Sequence, residues 1–585
     1  MTEPSSQSVD PAKAALLTDL LFTQAERLGD KPFLHGRGGD GDAGWGTITW
    51  AEAADQVLRL AAGLAGLGIN PGDRVGIVSE NRPQWLIADH AIMAAGAISV
   101  PAYTTNTEDD HHHVLADSGA SAVIVSTAAL AQKLMPGAAR ADRCRHVITM
   151  EPVAVDRSLG FELHGWDDLL AQEPAAPHAG ARSDTACIIY TSGTGGVPKG
   201  VMLSHGAILA NCKGIHRVFR NAGLGDEVFL SFLPLSHSYE HTAGQFFPIS
   251  IGAEIYYAAG TDTITQDIAD AHPTIMTAVP RLYEVFKNRV TLGVAQASPA
   301  RRSLFQRTLE IGRKRFEAPG TLTPWERLLD IVLERLVRDK VRARFGGRLR
   351  FMVSGGAALN PEIGMFFLSL GINILQGYGL TESAPVISCN PPDKIKIATV
   401  GPPIAGLECR IAGDGEILVR GELVMQGYWN RPEATSEAVH DGWLHTGDIG
   451  EFDEDGYLRI TDRKKDIIVN SGGDNISPQR VEGFLTLEPE ISQAMVFGDK
   501  RSHLVAVIVP EGAAADGRSS AARELVAAAM ERANAALAPI ERVRRFILAD
   551  QPFTVENGQM TPTHKVRRHI LMGIYGESLE ALYRS

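Results

Sequence analysis

Residues Tyr190–Gly200 read YTSGTGGVPKG and directly follow the apolar run Ala186–Ile189. That order constrains the fold more than any other stretch of the chain. A short apolar run rich in β-branched residues reads as a buried strand, and the glycines behind it let the backbone turn sharply. A strand opening into such a loop can lay successive backbone N–H groups against phosphate oxygens. Gly193, Gly195 and Gly196 supply the turn, Thr191, Ser192 and Thr194 supply hydroxyl groups, Pro198 stiffens the exit, and Lys199 adds a cation. The string is not a GxxxxGK[ST] loop, because Lys199 follows a proline and precedes Gly200. Taken alone, a Gly-rich surface turn is the ordinary alternative.

The flanks of this loop alternate strand-like and helix-like segments. Arg74–Ser79, Ala97–Tyr103 and Ser121–Ser126 are short β-branched runs, with helical patterns such as PQWLIADHAIMAAG between them. The alternation predicts a mostly parallel α/β sheet over residues 47–180. A second α/β unit is expected over 186–400, with strands at Glu227–Phe232, Ala253–Ala258, Thr274–Val279 and Leu349–Gly355. A β-rich segment (408–461) and a smaller α+β unit follow. The expected division is a large domain, 1–464, and a C-terminal domain, 465–585.

A net charge of −13 argues against general nucleic-acid binding. The five cysteines are dispersed and form no CxxC, which fits a reduced cytoplasmic setting. The polar, acidic N-terminus does not read as a secretory signal, and no uncharged apolar run is long enough to span a bilayer. Residues 301–350 break the acidic trend with 14 Lys/Arg against 6 Asp/Glu, largely in helical patterns. They read as a solvated helical face or as a landing surface for anionic lipid. In Asp109–His113, consecutive residues point in different directions, so a solvated helix start is expected rather than a metal site.

Further strings have their own chemical logic. PLSHSYEH, Pro234–His241, follows a strand, where α/β sheets place ligands. His237 is there either as a site residue or as a satisfied loop histidine. VPRLYE, Val279–Glu284, reads equally well as a helix start behind Pro280. In SGGAALNPE (354–362) and QGYGLTES (376–383), glycines permit close approach to a flat base, Tyr378 offers an aromatic face, and Glu382 offers a hard oxygen suited to Mg²⁺. In HTGDIG (445–450), Asp448 can accept two hydrogen bonds at once. MTPTHKVRRHI (560–570) carries Lys565, an ammonium able to meet charge developing in a transition state.

Together and in this order, these strings resemble the adenylate-forming superfamily, whose phosphate loop usually reads YTSGTTGxPKG. Gly195 stands here in place of the second threonine, removing one hydroxyl. The resemblance implies two mostly parallel α/β subdomains plus a small β-rich one, followed by a mobile C-terminal domain. It implies that Gly356, Ala357, Gln376, Gly377, Tyr378 and Gly379 surround the nucleotide base, and that Thr381 touches the α-phosphate. By the same resemblance Glu382 is expected to hold Mg²⁺ with help from Thr191, and Asp448 and Arg463 to hold the ribose. It also implies that His237 lies beside the reacting carboxylate, that Lys465 is the hinge, that Gly472 and Gly473 approach the pantetheine of CoA, and that Lys565 is catalytic. VPRLYE resembles a segment near the acyl gate of long-chain acyl-CoA synthetases.

The implied activity is a two-step ligation of a fatty acid to coenzyme A through acyl-AMP, with ATP and Mg²⁺. Release of acyl-AMP, transfer to a carrier protein, a luciferase-like oxygenase and a non-catalytic acyl-nucleotide binder are the rival readings.

Overall fold

A computed structural model of the 585-residue chain describes residues 8–37, 44–153, 160–191, 197–260, 262–472, 474–511, 520–561 and 566–584. The architecture is α/β. One eight-stranded sheet runs in the order 427–428, 199–204, 185–191, 98–102, 74–78, 122–125, 146–149, 162–165. Its middle strands are parallel. They are buried along their length, as strands covered on both faces must be.

The second eight-stranded sheet runs 386–389, 373–379, 351–354, 275–278, 228–231, 254–257, 32–37, 45–49. One hydrophobic core joins the two: Ile77 and Ile124 of the first sheet and Phe229 and Ile255 of the second belong to it. The helix Pro83–Ala94 is buried almost all round and runs into the strand Ile98–Ala102, as expected for that apolar stretch. It carries Asp89, whose carboxylate lies 2.8 Å from His241 Nε2 with both side chains fully buried. Burial pushes the Asp89 carboxyl up, but His241 holds it below its usual value.

The two α/β units are interleaved, which corrects their expected order along the chain. Thr185–Thr191 and Lys199–Ser204 form an antiparallel hairpin in the first sheet, not the second. Pro32–Arg37 and Trp45–Thr49 pair in the second sheet, where Leu34 lies opposite Ile255. A smaller sheet contains 408–411, 416–420, 439–440, 443–452 and 458–463. Beyond residue 465, the strands Ile491–Phe497, Leu504–Pro510 and Val543–Leu548 pack with three helices around cores of their own.

Candidate active site

Many of the residues singled out from sequence line a cavity of about 940 Å³ between the two large sheets and the smaller one. The hairpin register places Thr191 opposite Lys199 and Tyr190 opposite Gly200, so the two ends of the phosphate-loop string are paired strands. Ser192, Gly193, Thr194, Gly195 and Gly196 lie outside the described residues; Thr191 and Lys199 line the cavity. The strand leading into the loop is anchored by Tyr190, whose hydroxyl donates to Asp117 Oδ2 at 2.8 Å. Arg431 and the Trp429 indole N–H bind the same Asp117.

The three histidines at 111–113 do begin a helix, Glu108–Ser118, but it is not simply solvated. His111 is buried, and burial, with Lys133 nearby, pushes its imidazole down to about 4. His113 Nε2 lies 3.0 Å from the Pro198 carbonyl, which only an N–H can satisfy.

Opposite the loop, Gln376 ends the buried part of the strand Asn373–Gly379, and a turn of 3₁₀ helix carries Thr381 and Glu382. Gly377, Tyr378, Gly379, Thr381 and Glu382 line the cavity. A side chain at Gly379 would place its Cβ 1.8 Å from the Pro385 carbonyl oxygen, so only glycine lets the chain fold back there. Glu382 Oε1 accepts the Tyr428 hydroxyl at 2.8 Å, and Lys199 Nζ lies 5.0 Å from the centre of the Tyr428 ring. Tyr428 reaches this spot because the strand Gly427–Tyr428 pairs with Val201 and Met202. Burial, reinforced by Glu382, keeps its phenol protonated. Nothing in the sequence pattern marked Tyr428.

Asp448 and Arg463 face each other across an antiparallel pair. Arg463 Nε donates to Asp448 Oδ1 at 3.0 Å, and the Tyr378 hydroxyl donates to Asp448 Oδ2 at 2.7 Å. Tyr378 therefore clamps a carboxylate with its hydroxyl, a role its aromatic face did not announce. Lys464 bonds Asp414 and Glu416, and Glu416 also meets His445 and the Gly447 N–H. Burial pushes the Glu416 carboxyl up, but Lys464 and His445 hold it below the usual value.

His237 lines the cavity and caps the next short helix, with its Nδ1 accepting the Tyr239 N–H at 3.2 Å. Ser238 Oγ lies 3.0 Å from Thr381 Oγ1, tying this segment to the 3₁₀ turn. Glu240 points the other way. It is fully buried, accepts the Thr277 hydroxyl at 2.5 Å, and is pushed by burial up to about 7. Thr277 itself lines the cavity.

From the polar end the cavity continues between the second sheet and its covering helices, where Ile215, Phe219, Phe229, Phe247, Ile275 and Val353 form an apolar wall. Phe247 centres this arm, its ring 5.8 Å from Phe219 and 6.1 Å from Phe229. VPRLYE stands behind the wall rather than in it. Val279 caps the helix Pro280–Ala295 and packs against Tyr239 and Ala243, while Leu282 and Tyr283 belong to the core. Cys389 also lines the cavity; burial pushes its thiol up to about 12, so it stays neutral.

Not every sequence candidate reaches the cavity wall: Asp448 stands behind it, bonded to Arg463 and Tyr378, which do. Gly356 does, at φ +80°, with Gly355 packed under Tyr239, but Ala357 is exposed beyond it. The Gln376 side chain turns into the core to bond the Ile397 carbonyl. Gly472 sits in an exposed hairpin turn whose N–H bonds Asn470, and Gly473 lies outside the described residues. Lys465 lines the cavity. Lys565 lies outside the described residues, yet the chain on either side of it, Thr561 and Val566–His569, lines the cavity. Arg568 fixes that segment by binding both oxygens of the partly buried Glu482 at 2.7 and 2.6 Å.

Comparison with known proteins is consistent along the chain. The family described as AMP-binding enzyme matches residues 21–429, and the AMP-binding enzyme C-terminal domain matches residues 465–585. A long-chain-fatty-acid–CoA ligase of Mycobacterium bovis, FadD15, is 36% identical over 575 residues, covering 93% of each chain. The peroxisomal long chain acyl-CoA synthetase 7 of Arabidopsis thaliana is 31% identical, covering 100% of this chain and 88% of its own. The A domain of the carboxylic acid reductase of Segniliparus rugosus, solved with AMP and a co-purified carboxylic acid, superposes with a TM-score of 0.76 at 22% identity. That match covers 98% of this chain and 94% of the reductase domain, and shows a shared fold.

Proposed function

The chain belongs to the AMP-binding enzyme family, and from that premise we propose that it is an ATP-dependent long-chain fatty acid–CoA ligase. One observation carries the reading. A single cavity joins a polar end, built from the phosphate-loop hairpin, Glu382 and Arg463, with Asp448 bonded to Arg463 behind the wall, to an apolar arm running into the core. A nucleotide fits the first part and an acyl chain the second, so the acid's carboxylate meets the α-phosphate where they join.

In the first step the carboxylate oxygen attacks the α-phosphorus in line, the bond to the bridging oxygen breaks, and pyrophosphate leaves. In the second, the thiolate of CoA attacks the acyl carbonyl and AMP leaves with the anhydride bond's electrons. Positioning and charge stabilisation supply most of the rate. Asp448 and Arg463 hold the ribose, Thr381 and Lys199 meet phosphate oxygens, His237 lies beside the carboxylate, and Lys565 meets the charge built up during adenylation. The oxygens of Glu382 and Thr191 fit Mg²⁺, which would neutralise phosphate charge there. No protein nucleophile is required, in keeping with a neutral Cys389.

Residues 1–464 and 465–585 act as two domains, with Lys465 as the hinge. Swinging the second domain replaces Lys565 at the site with the Gly472–Gly473 turn, which serves the CoA step.

Among the described residues no helix is long and apolar enough to cross a membrane. The 301–350 region nevertheless supports peripheral contact with an anionic lipid surface on the cytoplasmic side. Trp325, Leu328 and Ile331, at three-residue spacing, are 69%, 54% and 65% exposed, and exposed Arg327, Arg335 and Lys340 flank them. An apolar helical stripe edged by cations suits the interface of an anionic bilayer. Flotation with phosphatidylglycerol vesicles should retain the protein and lose the Trp325→Ala/Ile331→Ala variant; equal retention of both removes this surface.

The reading of function is tested by supplying ATP, CoA and carboxylates from acetate to very-long-chain acids and identifying products by mass. Acyl-CoA and AMP from long-chain acids are expected. Acyl-AMP as the released product, or turnover confined to short acids, contradicts it.

A further inference from the structure

At the far edge of the first sheet, His146–Thr149 and Glu162–Gly165 run parallel, with His146 opposite Glu162 and Ile148 opposite His164. Glu162 and His164 are two residues apart on the edge strand and therefore share a face. His146 Nδ1 lies 3.1 Å from His164 Nε2, and Glu162 Oε2 lies 3.5 Å from the first nitrogen and 3.7 Å from the second. A hydrogen bond between the rings accounts for the first distance but leaves the carboxylate unexplained, standing off both rings beyond good hydrogen-bond range. The points equally far from all three corners of a triangle of sides 3.1, 3.5 and 3.7 Å lie on a line through its centre, and an ion displaced from the plane far enough for tetrahedral angles stands about 2.1 Å from each corner. That is the length of a zinc–imidazole or zinc–carboxylate bond.

We propose that His146, Glu162 and His164 form a site for a divalent transition metal of the zinc class, which staples the edge strand to the sheet. Two imidazoles and a carboxylate favour zinc over magnesium, whose hard, octahedral preference they do not meet. The rings are mostly buried while the carboxylate is largely exposed, so water can reach the fourth position and complete a tetrahedron. Among the described residues no other group of three such side chains brings its ligand atoms as close together. The site is four strand spacings from the phosphate-loop hairpin, about 20 Å, and is independent of the reading of the cavity.

The test uses the full chain, stripped by chelator and titrated with Zn²⁺ in the absence of nucleotide and fatty acid. One saturable equivalent is expected, undisturbed by excess Mg²⁺, with a rise in Tm on binding. His146→Gln and His164→Gln should each weaken binding at least tenfold, and the double variant should abolish it together with the Tm shift. Co²⁺ in place of Zn²⁺ should give the visible absorption of a four-coordinate ion in the wild type only. No saturable equivalent, or binding that survives in the double variant, overturns the proposal. Should the histidine variants fail to fold, the exposed Glu162→Gln decides: a loss of about tenfold supports the site, and unchanged affinity overturns it.

Discussion

Replacing Glu240 by glutamine should change how stability depends on pH, and the size of the change follows from the site. Glu240 is fully buried one layer behind the cavity, holding the Thr277 hydroxyl, and burial raises its carboxyl from the ordinary 4.5 to about 7. The folded state therefore keeps a proton that the unfolded chain gives up between those two values. Stability from this group is fully present below pH 4.5 and is lost as pH rises through 7. The gap between 4.5 and about 7 corresponds to about 3 kcal/mol. Glutamine is neutral throughout and still offers an acceptor to Thr277. Relative to wild type, Glu240→Gln should gain about 3 kcal/mol between pH 4.5 and 7.5. Urea unfolding followed by tryptophan fluorescence reads this, because all seven tryptophans precede residue 465 and report the part containing Glu240. Taking the difference between the two proteins at each pH cancels every other titrating group they share. A difference that stays constant across the range would show that Glu240 does not hold a proton in the folded state that the unfolded chain gives up.

Asp448→Asn should raise the KM for ATP about 10- to 100-fold, from weakened charged hydrogen bonds, with little change in the KM for fatty acid; an unchanged ATP KM removes Asp448 from the ribose. Phe219→Ala widens the apolar arm beside Phe247 and should move the chain-length optimum upward by about three carbons at a cost of about 3–5 kcal/mol in stability. An unshifted chain-length profile in a folded variant would place the acyl chain elsewhere. Lys565→Ala should cripple adenylation yet largely spare thioester formation from supplied acyl-AMP, and equal loss in both half-reactions contradicts that role.

The parallel strands were legible because a strand covered on both faces is largely apolar, as Val75–Val78 and Ala122–Val125 are. Their assignment to sheets was not. The hairpin 32–49 finds its partner at Ile255, more than two hundred residues away, and no local pattern encodes that pairing. The same distinction applies to the site. Asp448, Arg463, Glu382 and Thr191 could be placed together from ordered strings, whereas Tyr428 and Asp117 are single side chains brought in by pairing and by long-range hydrogen bonds. Glu240 lay inside a marked string, but burial alone makes it a neutral acid, and burial is a property of the fold. His111 is the converse case. Its neighbours looked solvated from their polarity, yet the first ring of the three turns inward.

The chemistry to be tested is activation of an organic acid on the α-phosphate of ATP. The most direct measurement is exchange of labelled pyrophosphate into ATP by the purified protein, with Mg²⁺ present and CoA absent. Exchange that depends on added long-chain fatty acid is the expected result. Absence of exchange with every acid offered, from a protein that is folded and binds ATP, would contradict the account.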